Sequence, residues 1–357
     1  MKRIIACTDG TWDKPSDTKD GESLDSNVCL LFNGIKDVAE DGTKQLKAYD
    51  TGVGSSYGWR DKLLGGTMGQ GLDRKIMEMY GFLMLNYQPA TPPQKSDEIY
   101  LFGFSRGAYT ARSLAGFIRC CGILKPENLH LIETAFGLYR DRNKYTSPDS
   151  DAMVSFRRNY STEDVTRIHL LGVWDTVGSL GLPLTFFKLY NSEKYKFHDV
   201  TLSSTVNYAY HAVAIDERRK LFEPTLWVPS AKVLSGEVKQ ISEQRWFPGV
   251  HCNVGGGYKD RGLSNGPLHW MVEKAGGAGL EFNNHKLAHF HKDPKGKLRD
   301  SYTPPFWFWP KVWREVKNEK HLNQQFDESV DLRLNEMKSY RPHNLNKIKI
   351  FEKYFKH

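Results

Sequence analysis

Three residues with the chemistry of a hydrolytic site stand far apart in this sequence, and each follows an apolar segment. Ser105 comes after IYLFGF, Asp175 after HLLGVW and His251 after QRWFPGV. A serine hydroxyl becomes an effective nucleophile when an imidazole accepts its proton and a carboxylate orients that imidazole. The residue types therefore predict acyl transfer, with Ser105 as nucleophile, His251 as general base and Asp175 as the acid that holds the imidazole tautomer.

The serine lies within GFSRG, which fits the pattern GxSxG from Gly103 to Gly107. Between a strand and a helix, this pattern forms a nucleophile elbow, a strained turn that exposes the serine hydroxyl. We predict Gly103 and Gly107 as structural residues of this elbow, because small residues allow its tight packing. The free N–H groups at the start of the following helix would face the charge that develops beside Ser105.

An oxyanion needs more than one hydrogen-bond donor, and the loop TDGTW after the first apolar segment offers a second. We predict an oxyanion hole formed by the backbone N–H of Arg106 and by one from Gly10 or Thr11. Removing one such donor typically costs about 10²- to 10³-fold in turnover.

Each of these assignments has a competing interpretation. GxSxG also occurs by chance, so the assignment of Ser105 depends on its strand and helix context. Asp175 could instead cap the turn in DTVG, and Asp216 in AIDERR is a rival acid. Most of the 12 histidines must be structural or exposed: His169 begins an apolar strand and His211 lies in an apparent helix.

Apolar segments of strand length alternate with segments of helical spacing along the chain. Such alternation is typical of a parallel sheet that is buried on both faces. The expected fold is α/β and α/β-hydrolase-like, with a mainly parallel central sheet flanked by helices, with insertions and with a C-terminal appendage. In these sheets ligands bind at the carboxyl ends of the strands. The sequence predicts strands at 2–7, within LKAYD, EIYLFGF and RIHLLGVW, and at 237–251, and helices at 27–35, 71–89, 208–222 and within AYTARSLAGFIRCCGIL and GPLHWMVEKAGGAGL.

The composition indicates a globular protein, because 39% of the 357 residues are hydrophobic and 13% are aromatic. The net charge of +8 would suit an anionic partner, although a solvated basic surface is the simpler explanation. No nucleic-acid-binding phrase accompanies that charge, so we expect no nucleic-acid partner.

The N-terminus has no signal-peptide core, and no run of about 18 apolar residues predicts a membrane span. We therefore expect synthesis in the cytoplasm, with signal-independent secretion left open. The five cysteines have none of the spacings of a zinc site or disulfide scaffold, and we expect reduced thiols.

Two later segments have more than one interpretation. The aromatic segment TPPFWFWPKVWREV at 303–316 could contact a membrane interface, line a substrate mouth or pack as core. In HKLAHFHK, His285 and His289 would share a helix face, yet no HExxH pattern supports a metal, and we expect a solvated helix. We predict no metal and no organic cofactor.

Several phrases together resemble the DUF2235 family of α/β-hydrolases, which includes the Tle1-type phospholipase effectors of bacterial type VI secretion. The resemblance implies the triad Ser105, Asp175 and His251, and at position 253 this chain has Asn where the family more often has Asp. It covers about residues 1–283, so we predict a hydrolase domain at 1–283 and an aromatic and basic extension at 284–357 packed on it. The phrases are CTDGTWD, YDTGVGS, DEIYLFGFSRGAYTARSLAGFIRCCGIL, LLGVWDTVGSLG, AYHAVAIDERRKLFEPTLW and WFPGVHCNVGGGY.

The leading hypothesis is a serine hydrolase that cleaves carboxylic esters of a phospholipid or another acyl lipid. The expected partners are that substrate, a peripheral membrane surface and, for an effector, a secretion-system component or an immunity protein. One scaffold hosts many activities. The alternatives are a soluble esterase, thioesterase or amidase for a small metabolite, and a catalytically silent binding module.

Overall fold

A computed structural model of the chain describes residues 1–10, 18–19, 22–50, 71–141, 143–177, 200–304, 306–308, 310–316 and 322–355. Its strands are β1 (Arg3–Thr8), β2 (Thr18–Lys19), β3 (Glu22–Ser23), β4 (Gln45–Asp50), β5 (Glu98–Phe104), β6 (Ile168–Trp174), β7 (Thr201–Leu202), β8 (Val206–Ala214), β9 (Val228–Pro229), β10 (Ile241–Phe247) and β11 (Gln324–Phe326). Its α-helices are α1 (Asn27–Gly34), α2 (Leu72–Asn86), α3 (Arg106–Cys121), α4 (Ile132–Asp141), α5 (Asp151–Tyr160), α6 (Ala231–Leu234), α7 (His251–Gly255), α8 (Gly262–Gly277), α9 (Asn284–Leu287) and α10 (Glu328–Glu336). Short 3₁₀ segments lie at Pro126–Leu131, Lys220–Phe222, Phe306–Phe308, His343–Leu345 and Lys349–Tyr354.

Seven strands form one sheet in which every pairing is parallel, in the order β4-β1-β5-β6-β8-β10-β11. The chain starts at β1 and adds strands on both sides, so the strand order reverses between β1 and β5. Such a switch point opens a crevice at the carboxyl ends of the strands. The predicted α/β fold with a mainly parallel sheet flanked by helices is confirmed.

The central strands are apolar throughout because both of their faces are covered. In β1, Ile4 packs into a cluster with α2 and α3, whereas Ile5 packs into a second cluster with α1 and α8. In β5, Leu101 and Phe102 divide between the same two clusters. Successive side chains of a strand point to opposite faces, so each strand needs apolar residues at consecutive positions.

The prediction of a helix at 208–222 is wrong. Val206–Ala214 forms β8, which pairs with β6 on one side and with β10 on the other. Ala and His at helix-compatible spacing favour a helix locally. Burial of the neighbours Ala212 and Val213 in different apolar clusters, together with two sets of strand hydrogen bonds, outweighs that preference.

The C-terminal part of the chain contacts the sheet directly. β11 adds the edge strand beside β10, with Gln324 opposite Gln244. A third apolar cluster contains Val213 and Trp246 from the sheet together with Val330 and Leu334 from α10. This packing places residues 314–316, which precede β11, near the carboxyl ends of the strands.

The helix predicted around HKLAHFHK is shorter than expected. α9 ends at Leu287, so His285 and His289 do not share one helix. Among the described residues no group of three or more His, Cys, Asp and Glu side chains is placed to hold a metal ion. Within the same part of the chain, no helix is long and apolar enough to span a membrane. All five cysteines are free, as the sequence predicts.

Candidate active site

Two neighbouring strands end side by side at the predicted site. β5 ends at Phe104 and β6 at Trp174, and these residues lie opposite each other in the sheet. Ser105 follows the first and donates its N–H to the carbonyl of Trp174 at 3.1 Å. Asp175 follows the second and donates its N–H to Ala212 at 2.7 Å. The sheet therefore holds Ser105 and Asp175 at adjacent positions on its carboxyl edge.

Ser105 occupies a strained turn between β5 and α3. Its φ of 56° and ψ of −116° are rare for a residue with a side chain. A Cβ at Gly107 would lie 2.0 Å from the carbonyl oxygen of Thr8, and one at Gly103 would lie 2.4 Å from that of Gly107. Both positions require glycine because backbone occupies the space that a side chain would take.

His251 begins the short helix α7 and points its Nδ1 at the carboxylate of Asp175, 2.6 Å away. Both side chains are buried. Asp175 has a φ of 38° and accepts a second hydrogen bond from the N–H of Ala214 at 2.9 Å. Within the described residues, Nε2 of His251 has no hydrogen-bond partner. That atom is the one left to accept a proton from a neighbouring hydroxyl.

Two aromatic rings flank the imidazole of His251. The ring of Phe104, the residue before Ser105, lies 4.7 Å away between centroids, and the ring of Phe222 lies 5.0 Å away. A Cβ at Gly255 would fall 1.9 Å from the ring of Phe104. The backbone at Gly255 therefore approaches the ring of Phe104 closely, and the absence of a side chain there leaves room for Phe104 to contact His251.

Sequence reasoning missed Arg314, which is buried against the acid. Its Nη1 donates to Oδ1 of Asp175 at 2.6 Å and its Nη2 to Oδ2 at 2.9 Å. Nη1 also donates to the carbonyl of Ala214 and Nη2 to that of Phe222. Burial raises the pKa of Asp175, but the charge of Arg314 and the bond to His251 outweigh it and hold that pKa well below its usual range. Asp175 is therefore ionised.

The imidazole of His251 favours its neutral form, whereas the carboxyl of Asp175 favours its charged form. Burial lowers the pKa of His251, and the hydrogen bond to Asp175 opposes that shift without cancelling it. A neutral imidazole is the form that accepts a proton. The site thus combines an ionised carboxylate with a histidine that stays neutral to lower pH than an exposed one.

Glu217 is a second residue that the sequence did not single out. It is fully buried and accepts hydrogen bonds from the N–H of His251 at 3.2 Å and from Ser301 at 2.8 Å. The Arg219 guanidinium donates to both of its oxygens, at 2.8 and 2.9 Å. Burial raises the pKa of Glu217, but Arg219 outweighs it and lowers the pKa to about 2. This ion pair fixes the backbone of the residue that carries the imidazole.

The three predicted oxyanion donors, Arg106, Gly10 and Thr11, have different surroundings. Arg106 is the first residue of α3, so its backbone N–H lies at the start of a helix, as the prediction requires. The N–H of Gly10 instead donates to the carboxylate of Asp9 at 2.7 Å, and in this arrangement it is engaged. Thr11 lies outside the described residues.

Asp9 itself is buried at the end of β1, next to the elbow. Its carboxylate accepts hydrogen bonds from Ser26 and Tyr49 as well as from Gly10. Burial raises its pKa to about 6, although these three bonds act in the opposite direction. The sequence singles out this loop for its backbone donors and gives no sign that the Asp9 carboxyl is buried with a raised pKa.

The rival acid and the unusual Asn253 both have structural surroundings. Asp216 accepts hydrogen bonds from the N–H of Gly249 at 2.7 Å and from Tyr340 at 2.8 Å, while Asp175 is the acid that contacts His251. Among the described residues, the side chain of Asn253 bonds only to backbone, accepting from Val250 and Arg299 and donating to Lys297. The histidines set aside in the sequence are likewise structural: His169 bonds the carbonyl of Ala278, and His211 accepts the N–H of Thr176.

A cavity of about 580 Å³ lies along α3. Its wall includes Tyr109, whose N–H donates to the carbonyl of Ser105, one helical turn away. Further along, Arg112 lies over the ring of Trp227, and burial lowers its pKa to about 9. The volume falls within the range of about 300–1,000 Å³ that small-molecule sites occupy.

The strand order, the elbow at Ser105 and the flanking helices define an α/β-hydrolase-like protein. Residues 2–274 match the family model described as "T6SS, Phospholipase effector Tle1-like, catalytic domain". The chain belongs to this family.

Individual relatives are more distant. A protein of Saccharomyces cerevisiae (strain ATCC 204508 / S288c), "Uncharacterized protein YEL023C", is 28% identical over 246 residues, 64% of this chain and 33% of that protein. An uncharacterised protein from Pseudomonas aeruginosa has a crystal structure that aligns with a TM-score of 0.48 at 17% identity, over 82% of this chain and 49% of that one. A structure of the Tle1 effector bound to the VgrG spike aligns with a TM-score of 0.35 at 17% identity, over 72% of this chain and 52% of that one. The chain thus spans about a third to a half of the length of these proteins.

Proposed function

We propose that the protein is a serine hydrolase that cleaves a carboxylic ester of a phospholipid or another acyl lipid. The observation that carries this proposal is the buried Asp175–His251 pair, 2.6 Å between the bonded atoms, beside a serine in a strained elbow. Membership of a phospholipase-type family supports hydrolysis of a lipid ester.

The proposed reaction has two steps. In the first, Oγ of Ser105 attacks the ester carbonyl while Nε2 of His251 takes its proton, and the alcohol leaves with that proton as the acyl-enzyme forms. In the second, water attacks the acyl carbon and gives its proton to His251, which returns one to Ser105 as the free acid leaves. Asp175 stays ionised and stabilises the imidazolium in both steps. The N–H of Arg106 is the proposed oxyanion donor.

The cavity along α3 is the proposed place for part of the substrate. Its wall reaches Tyr109, one helical turn from Ser105, although Ser105, Asp175 and His251 do not line it. Its volume would hold part of a lipid. The family description also names a secretion system, so a delivery component and an immunity protein are the protein partners to test.

The test incubates the purified protein with a total lipid extract and identifies by mass spectrometry which lipids disappear. We expect a phospholipid or another acyl lipid to be lost, with free fatty acid produced, and no change with Ser105→Ala. Ser339→Ala, at an exposed serine that does not line the cavity, is the matched control and should behave as wild type. Turnover of short soluble esters alone would identify a soluble esterase, and no turnover of any ester would indicate a binding module.

A further inference from the structure

Three large aromatic side chains near the C-terminus are exposed to solvent. Phe308 is 86% exposed, Trp307 65% and Trp313 42%. Together with Phe306 they form what we call the aromatic platform. Exposed large apolar rings that lie so close together in the chain are typical of a contact site.

The aromatic platform is joined to the candidate active site. The N–H of Val312 donates to the carbonyl of Arg218 at 2.9 Å, which ties the 310–316 segment to the chain that precedes Phe222. The ring of Phe306 lies 5.7 Å from that of Phe222, which in turn contacts His251 at 5.0 Å. Two ring contacts therefore separate the exposed aromatic platform from the imidazole.

Cations lie against these rings, although two of them are paired with carboxylates. The guanidinium of Arg219, which binds Glu217, lies over both Phe222 and Phe306. Arg218, which lies 3.2 Å from Asp300, is 5.3 Å from the ring of Trp313. Lys311 lies 5.1 Å over the ring of Tyr302. Tryptophan and other amphipathic rings favour the boundary between hydrocarbon and water, and nearby cations favour anionic headgroups.

A second protein copy is a poorer fit. Large aromatic side chains bury about 150–250 Å² each, so three partly exposed ones supply less than the roughly 800 Å² per partner of a stable protein interface. Binding to a lipid surface requires no such minimum contact area, because each inserted ring contributes to binding on its own.

We propose that the aromatic platform docks the protein on a lipid surface, with the side of the molecule that carries Phe306 and Phe222 turned toward the membrane. In the proposed function the docked lipid is also the substrate, and only that part of the inference rests on the proposed function. The binding itself depends on the exposed rings and their cations.

The test measures flotation with vesicles of phosphatidylcholine, alone and mixed with phosphatidylserine. We expect wild type to bind, more strongly when phosphatidylserine is present, and the double variant Trp307→Ala/Phe308→Ala to bind about tenfold or more weakly. Tyr145→Ala is the matched control, because Tyr145 is 64% exposed and lies in the segment that follows α4. The rate of reaction with a fluorophosphonate and the turnover of a short soluble ester should be the same in both variants as in wild type.

Equal vesicle binding by the double variant would overturn the docking proposal, as would a dimer that dissociates when the two rings are removed. Loss of soluble-ester turnover in the double variant would also overturn it, by showing that the rings belong to the site itself. A protein that binds vesicles through these rings but hydrolyses no lipid would keep the docking proposal and overturn the proposed function. The two failures are thus distinguishable.

Discussion

Arg314 binds both carboxylate oxygens of Asp175, at 2.6 and 2.9 Å, from outside the residues that match the family model. Both side chains are buried, and the same carboxylate accepts the hydrogen bond from His251. The C-terminal extension therefore supplies the cation that neutralises the candidate catalytic acid. This link makes the extension part of the site's electrostatics.

Replacing Arg314 with Gln should lower kcat/KM by about 10- to 100-fold, because Asp175 loses the two hydrogen bonds that position it and the imidazole that it orients is displaced. The bare charge of Asp175 would also stabilise the imidazolium, so the pKa of His251 should rise. The acidic limb of the pH profile of kcat/KM should therefore move to higher pH.

Arg341→Gln is the matched control for this substitution, because Arg341 lies in the same extension and donates only to the carbonyls of Leu334, Met337 and Tyr340. It should leave the pH profile unchanged. If Arg314→Gln loses stability but keeps the wild-type acidic limb, Arg314 is merely structural. Arg314→Lys should retain part of the activity, since it keeps the charge without the paired geometry.

Glu217 should give the folded protein a pH dependence of its own. Its folded pKa of about 2 lies below the ordinary value of 4.5, so its contribution to stability is present above pH 4.5 and is lost as the pH falls toward 2. The difference corresponds to a contribution on the order of 3 kcal/mol. Glu217→Gln should lose that contribution at neutral pH.

Urea unfolding at a series of pH values measures this effect. The stability difference between wild type and Glu217→Gln should shrink as the pH falls below 4.5. Glu237→Gln, at an exposed glutamate that pairs loosely with Lys232, should follow wild type throughout. A constant difference across this range would show that the charge of Glu217 is not what stabilises the fold.

Gly107 should tolerate no side chain. Its Cβ would lie 2.0 Å from backbone, so Gly107→Ala should destabilise the protein by several kcal/mol, about 3 or more, and reduce ester turnover. Gly137 lies inside α4 with open space around its Cβ position. Gly137→Ala should therefore stabilise the protein by about 0.5–1 kcal/mol. Thermal unfolding of both variants tests this contrast, and equal effects would show that the elbow is not tightly packed.

The residues of the candidate site that lie at strand ends were the easiest to predict from the sequence. Ser105 and Asp175 each stand at the point where a fully apolar segment stops, and parallel strands bring such points to one edge. The elbow could be recognised because the five residues of GxSxG contain everything that its tight turn requires. His251 also follows an apolar segment, and the resemblance to a family implies the same three residues.

The sequence could not predict what depends on distant partners or on competing local preferences. Arg314 lies 139 residues from Asp175, and no local pattern marks one arginine among the 50 Lys and Arg residues as its partner. Glu217 stands in a charged run that reads as solvated surface, yet it is buried. The segment of β8 has Ala and His at a spacing that predicts a helix, and only its pairing with two neighbouring strands makes it a strand.

The central claim is that Ser105 is a nucleophile activated by His251, and labelling with a fluorophosphonate probe tests it most directly. In this reaction Ser105 Oγ bonds to phosphorus, fluoride leaves, and His251 takes the hydroxyl proton. Peptide mass spectrometry should find the label on Ser105, and the rate should fall by at least about 10³-fold in His251→Ala. Labelling that persists in Ser105→Ala, or proceeds at the wild-type rate without His251, would contradict the proposed site.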